Sequence, residues 1–314
     1  MIGLITTVTL NPAVDKILRV RSLRLNRLNR AEVLMTTAGG KGVNVSYLLQ
    51  AMGSEAIAMG FVGGTSGQFL EEELRKAGIT TSFVHIAEET RTNYIVLDEA
   101  RHTQTQINER GPLVSIEEIQ EFEGTFKRVL SRSEMVIIAG SLPQGVEPEI
   151  CAELITMARE RGIKTILNTT EPALIRGLEA QPFLVKPDIR ATDQFMGVRL
   201  NSNRRRLEVA QRILAKGVQV VVIGSNYINH IVVTPEQIWE ASAPGVEIVS
   251  RVGVGDAMIG GMAFVLAKGG VIDEAIRLGM AASIAVVRKV ENRIESRQEV
   301  EQFLDWVQLK EVKR

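Results

Sequence analysis

Short apolar runs alternate with longer amphipathic stretches along most of this chain, and each change of period marks an element. Ile5-Thr6-Thr7-Val8-Thr9-Leu10 is rich in β-branched residues and is halted by Asn11-Pro12, as expected of a strand that feeds a loop. Val43 to Met52 takes up helical spacing after the turn Ala38-Gly39-Gly40-Lys41-Gly42. A strand over 56–62 and a helix over about 66–77 follow, the helix closing at Gly78. Helix 115–131 opens with Ser115-Ile116-Glu117-Glu118, which fits a capping box. Beyond it, Met135 to Ala139, Lys164 to Leu167, Phe183 to Val185 and Gln219 to Ile223 predict strands, with a helix over 147–161 between the first two. The last of these strands is continuously apolar, as in a parallel strand covered on both faces. Helices are predicted near 203–216, 255–268, 271–289 and 297–309.

Repeated β-α units imply an α/β fold with an open, mostly parallel central sheet and helices on both sides. Two regions break that rhythm. Residues 17–37 alternate loosely, as exposed strands do, and Thr92 to Leu97 and Thr103 to Asn108 are short β-like runs. Together they read as a small sheet outside the main layer, placed where it could cover a site. No Ser/Gly-rich linker, repeat or low-complexity tract divides the chain. The expectation is one domain, 1–314, with lid segments at about 14–37 and 90–112.

Composition narrows the function classes. The 314 residues are 45% hydrophobic and 24% charged, an ordinary globular balance. Lys+Arg and Asp+Glu both number 37, so no global field favours nucleic acid or a membrane surface. An anionic ligand would need a local basic pocket. Cys151 is the single cysteine and reads as a small buried residue, with no partner for an internal disulfide. No apolar run approaches the roughly 20 residues that span a bilayer, and Met1 to Leu10 lacks the features of a signal peptide. A cytoplasmic location is expected. His85, His102 and His230 are too scattered for a zinc pattern, and no Gly-x-Ser-x-Gly elbow points to a hydrolase. The arginines at 204–206 read as the solvated face of the 203–216 helix.

Three glycine-bearing loops carry the candidate chemistry. Gly253-Val254-Gly255-Asp256 precedes a helix, where backbone N–H groups and the helix dipole can converge on an anion. An aspartate there would repel phosphate unless it has its own task, such as taking a proton from an attacking hydroxyl. The competing reading is an N-cap aspartate on a tight turn. The motif is neither a P-loop nor a dinucleotide fingerprint. In Gly39-Gly40-Lys41-Gly42-Val43-Asn44 the glycines allow close approach to a ligand, Lys41 could hold a phosphate, and Asn44 can donate to and accept from hydroxyls. By itself that loop is equally a helix-entry turn. Gly140-Ser141-Leu142-Pro143-Gln144-Gly145 follows a strand, at the sheet edge where ligands of open α/β folds sit.

Thr9 to Asp15, Ala38 to Asn44, Asn108 to Pro112, Gly140 to Gly145 and Gly253 to Asp256 occur in an order that resembles the PfkB sugar kinases, nearest the 1-phosphofructokinase and tagatose-6-phosphate kinase branch. The resemblance runs from about residue 5 to residue 290. It implies a ribokinase-like three-layer sandwich with a β lid, which often forms a homodimer interface. It further implies Asp256 as catalytic base, with the Gly253, Val254 and Gly255 backbone as an anion hole. Asp15 would hold sugar hydroxyls beside Gly39, Gly40 and Asn44. Lys41 and Arg91 would meet the phosphate already on the sugar, and Ser141 would line the sugar pocket. Lys186 and Gly224 would lie towards the nucleotide, and Arg251, which stands where Thr or Ser is usual in the family, is grouped with them. ATP and Mg²⁺ would be required, with a sugar phosphate as small-molecule partner.

The nucleotide side departs from the family pattern. Lys186-Pro187-Asp188-Ile189-Arg190-Ala191 replaces Lys-Pro-Asn-x-x-Glu, so Ala191 stands where a glutamate helps to order magnesium, and no metal ligand is assigned. Asp193 could substitute only with a shift of helix register. Asn168-Thr169-Thr170-Glu171 replaces Asp-Thr-Ser-Gly, and Val222 and Tyr227 replace a serine and a glycine of the adenine-side loop, where the tyrosine is expected to narrow the nucleotide groove. Arg251 either contacts phosphate or is solvated. The first reading is therefore a kinase that moves the ATP γ-phosphate to a ketohexose phosphate. The second is a catalytically weakened or silent sugar-phosphate-binding protein. A kinase for a nucleoside or another small alcohol is the third.

Overall fold

The computed structural model describes residues 3–188, 194–291 and 293–312, with no side chain described at 226. From the amino end the elements are β1 (Ile5–Thr9), β2 (Ala13–Val20), β3 (Glu32–Gly39), α1 (Lys41–Ala51), β4 (Ala56–Val62), α2 (Gly64–Lys76), β5 (Thr80–Thr81) and β6 (Val84–His85). Next come β7 (Thr92–Asp98), β8 (Thr103–Asn108), α3 (Ile116–Leu130), β9 (Met135–Ala139), α4 (Ile150–Arg159), β10 (Lys164–Asn168), α5 (Ala173–Glu179) and β11 (Leu184–Val185). The carboxyl third holds β12 (Gln194–Phe195), β13 (Val198–Arg199), α6 (Asn203–Leu214), β14 (Val220–Asn226), β15 (Asn229–Val233), β16 (Ile238–Ser242), α7 (Val254–Leu266), α8 (Ile272–Val287), α9 (Arg297–Glu301) and β17 (Gln308–Val312).

The main sheet runs β5-β4-β1-β9-β10-β11-β14 in parallel and then turns antiparallel through β15, β16 and β17. Its central strands are buried on both faces, which explains their unbroken apolar sequence: β1, β4 and β9 are buried at every position. One core lies on the α1, α7 and α8 side, and a second lies on the α3, α4, α5 and α6 side. Helices α7 and α8 cross where Gly261 meets Gly279, so closely that a Cβ on Gly261 would fall 2.7 Å from the Gly279 Cα. This crossing seats the amino end of α7 above the sheet's carboxyl edge.

The segments that broke the β-α rhythm form a separate four-stranded sheet, β3-β2-β7-β8. The strand expected to be exposed differs from the sequence reading. β2 starts at Ala13 and is mostly buried, because it is an inner strand, parallel to β7 and antiparallel to β3. The capping box at Ser115 forms, with Ser115 Oγ accepting from the Glu118 amide.

The predicted helix over 297–309 is corrected. Only Arg297–Glu301 is α-helical, Leu304–Trp306 is one 3₁₀ turn, and Gln308–Val312 is an edge strand on β16. Val300, Phe303 and Val307 imitate helical spacing because all three bury against one core, while the open edge of β16 takes the last residues into a ladder. Among the described residues no helix is long and apolar enough to cross a membrane.

Candidate active site

Three loops at the carboxyl edge of the main sheet meet the small sheet across one cleft of about 200 Å³. Asp15, Gly40, Lys41, Asn44, Arg91, Ser141, Gly253 and Asp256 all line it. Asp15 and Asp256 thus share a single cleft, one from the small sheet and one from α7.

Asp256 lies in the first turn of α7 and is 4% exposed. Gly253 caps that helix in the left-handed region at φ 74°, a conformation that favours glycine. The first bond into the helix is made by the Ala257 amide to the Gly253 carbonyl at 2.8 Å, which leaves the amides of Val254, Gly255 and Asp256 without an intrahelical acceptor. Val254 is itself a core side chain. From α8, Ser283 Oγ donates to the Val254 carbonyl at 3.1 Å and steadies the turn.

Both oxygens of Asp256 are engaged. Asn44 Nδ2 donates to Oδ2 at 2.9 Å, and the Lys41 ammonium stands 3.7 Å from Oδ1. The same ammonium is 3.0 Å from Asp188 Oδ2. Lys41 and Asn44 reach this position because the Gly39-Gly40 turn starts α1 directly beneath α7.

Asp15 sits on β2 and accepts from Asn93 Nδ2 at 2.9 Å. Burial raises its pKa above the usual carboxylate value. The Asn93 bond and the Arg91 and Arg293 charges oppose that shift. Gly39 is needed for the approach of this carboxylate, since a Cβ there would lie 2.2 Å from Asp15 Oδ2. Arg91 lines the cleft but spends its guanidinium on backbone: Nε and Nη2 donate to the Asn11 carbonyl, and Nη1 donates to that of Glu109. Asn11 Nδ2 in turn ties the Arg110 and Leu142 carbonyls and Ser141 Oγ together.

Lys186, Gly224, Arg251, Val254, Gly255 and Gly39 do not line this cleft. Lys186 packs under the start of α7, its ammonium 2.8 Å from where a Cβ of Gly255 would stand. Arg251 is exposed and lies over the Tyr227 ring at 5.3 Å. Tyr227 rests on the core beneath it. The tyrosine expected to narrow a nucleotide groove is therefore occupied by packing and by its arginine neighbour. Val222 is a core residue of β14 and presents nothing to a ligand. Asn168 is fully buried and neither of its amide atoms has a partner among the described residues, a position where a charged carboxylate would be costlier still. Ala191, Thr192 and Asp193 lie outside the described residues.

Thr170 of the 168–171 stretch lines the cleft, and so do Asn93 and Gln106, with Arg293 behind it, three residues that the sequence did not single out. Only Asn93 had a legible signal, a polar residue at the start of the apolar run Tyr94-Ile95-Val96-Leu97. Arg293 Nη2 donates to Thr37 Oγ1 at 2.7 Å, and its guanidinium lies 3.1 Å from the Tyr47 ring centre.

Residues 2–298 match the profile of the pfkB family carbohydrate kinases. The chain belongs to this family. It is 30% identical to the tagatose-6-phosphate kinase of Staphylococcus epidermidis over 83% of this chain and 84% of that one. It is 29% identical to the 1-phosphofructokinase of Bacillus subtilis over 90% and 92% of the two chains. Among solved structures, one described as a possible 1-phosphofructokinase from Thermotoga maritima superposes with a TM-score of 0.92 at 36% identity, covering 99% of this chain and 100% of that one. A pfkB carbohydrate kinase with a ribokinase-like fold is thus what the sequence motifs, the strand order and the relatives all describe.

Proposed function

We propose that this pfkB kinase transfers the γ-phosphate of ATP to a hydroxyl of a ketohexose phosphate. The observation that carries this reading is the facing pair of Asp15 and Asp256 across one cleft that Lys41 and Arg91 also line. Asp15 and Asn44 hold sugar hydroxyls, Asp256 accepts the proton of the attacking hydroxyl, and the free amides of Val254 and Gly255 receive the phosphoryl oxygens. Lys41 supplies positive charge for the phosphate the sugar already carries. The small sheet acts as a lid that excludes water, which would otherwise compete as acceptor.

Magnesium would offset charge on the donor phosphates. Among the described residues no group of three or more His, Cys, Asp or Glu could cage a metal. That fits an ion carried mainly by the triphosphate and water. The retained base and amide turn favour active transfer over silent binding, and the Arg251–Tyr227 stack and buried Val222 take two of the unusual residues out of the ligand's way.

The lid is also the proposed homodimer surface. Leu25, Leu28, Val33 and Ile107 are exposed on it, at 86%, 83%, 58% and 57%. The co-substrates point to a cytoplasmic enzyme. A coupled assay of ADP formation with magnesium and fructose 1-phosphate, fructose 6-phosphate or tagatose 6-phosphate tests the reading. Turnover with at least one of them is expected, and none with all three would overturn it.

A further inference from the structure

Lys41 is shared between two carboxylates. Its ammonium is 3.0 Å from Asp188 Oδ2 and 3.7 Å from Asp256 Oδ1, with side-chain exposures of 16%, 11% and 6% for the lysine and the two aspartates. At that depth solvent screens an ion pair poorly. Two carboxylates against one ammonium leave the trio net negative at the place where an anionic substrate must bind. Asp188 is held there by the chain itself: it follows β11, and its amide donates to the Thr169 carbonyl at 3.0 Å.

We propose that Asp188 is a positioning residue that competes with the phosphate of the sugar for Lys41. The inference rests on the kinase reading above and deepens it. While Lys41 pairs with Asp188, it also lies against Asp256 Oδ1, and Asn44 covers Oδ2. A phosphate that draws the ammonium away from Asp188 draws it from Oδ1 as well, which opens that oxygen to the hydroxyl proton. Phosphate recognition at one end of the sugar and release of the base at the other then run through one lysine. Such a device favours a phosphorylated acceptor over a plain sugar or water, because neither of these can pay for pulling Lys41 off its carboxylates.

The test is calorimetric titration of fructose 1-phosphate, fructose 6-phosphate and tagatose 6-phosphate into the full-length protein, in EDTA and without nucleotide, so that any metal role of Asp188 does not enter. The proteins are wild type, Asp188→Asn, Lys41→Met and the double variant. Removing a competing, largely buried ion-pair partner is expected to tighten sugar-phosphate binding by about fivefold in Asp188→Asn. Lys41→Met is expected to weaken it by about tenfold or more, and in that background Asp188→Asn should change the Kd by less than about twofold. Equal tightening in both backgrounds would mean plain charge repulsion and would overturn the proposal. So would an unchanged Kd in Asp188→Asn while Lys41→Met still weakens binding, a result that leaves the kinase reading standing. If wild type binds none of the three, the kinase reading fails and this proposal with it. Asp188→Ser, checked for folding by circular dichroism, provides the same comparison should the amide disturb the local turn.

Discussion

Asn44 and Asp256 are 212 residues apart in sequence, yet the Asn44 side-chain amide donates to the Asp256 carboxylate at 2.9 Å. That single bond ties the start of α1 to the start of α7 and joins two of the three glycine-bearing loops into one wall. It also orients the carboxylate, leaving Oδ1 as the edge directed at Lys41.

Asp256→Asn keeps the shape of this wall and removes the proposed base. Turnover should fall by about 10²–10⁴-fold, the usual worth of a positioned general base, while the melting temperature stays close to wild type and calorimetric sugar-phosphate affinity does not weaken. A variant that turns over at the wild-type rate would remove Asp256 from the chemistry.

Asp15 is held by burial above the ordinary carboxylate range, so the fold favours its protonated form. Keeping it ionised at neutral pH costs stability, and that cost vanishes only as pH falls below the unfolded value of 3.8. Asp15→Asn should therefore melt at the same temperature or a few degrees higher at pH 7, by about 2–4 °C, while losing about tenfold or more in sugar affinity. Scanning calorimetry alongside ligand titration decides it. A large drop in melting temperature would show that the carboxylate supports the fold rather than the ligand.

His230 gives the opposite slope. It is 5% exposed on β15, and burial, with the Lys186 charge behind it, lowers its pKa from 6.5 to about 3. The unfolded chain takes up a proton below pH 6.5 that the folded chain refuses, so stability is full above that value and declines towards pH 3. Urea unfolding should show about 2 kcal/mol less stability at pH 5 than at pH 7 from this residue. His230→Phe should flatten that part of the pH profile; an unchanged profile would mean that the histidine is protonated in the fold.

Gly261→Ala tests the seat of α7. The added methyl would meet the Gly279 Cα at 2.7 Å and the Leu278 carbonyl at 2.8 Å, both backbone atoms that cannot rotate away. A loss of about 1–3 kcal/mol in chemical denaturation is expected. If the denaturation midpoint does not move, the two helices are free to part and the crossing does not fix the site.

The loops were legible because their demands are local. A left-handed cap at Gly253 and the close approach of Gly39 to Asp15 call for glycine whatever surrounds them, so both leave a mark in the chain. The parallel strands were legible for the same reason, since burial on both faces leaves no polar position. β17 was missed because its apolar residues bury at helical spacing, and only the free edge of β16 makes it a strand. The Tyr227–Arg251 stack was not legible, because sequence shows a residue's size and not its direction.

By itself, then, the order of residues determined the family, through its motifs, and the α/β rhythm and glycine-bearing loops, because these last follow from backbone needs and short-range pattern. Tertiary structure alone decided which charges meet. Lys41 reaches Asp188 and Asp256, Asn93 reaches Asp15, and Arg293 reaches Thr37 from 256 residues away. Electrostatic coupling depends on distance and burial in the folded chain, and neither quantity is written in the spacing of residues along it.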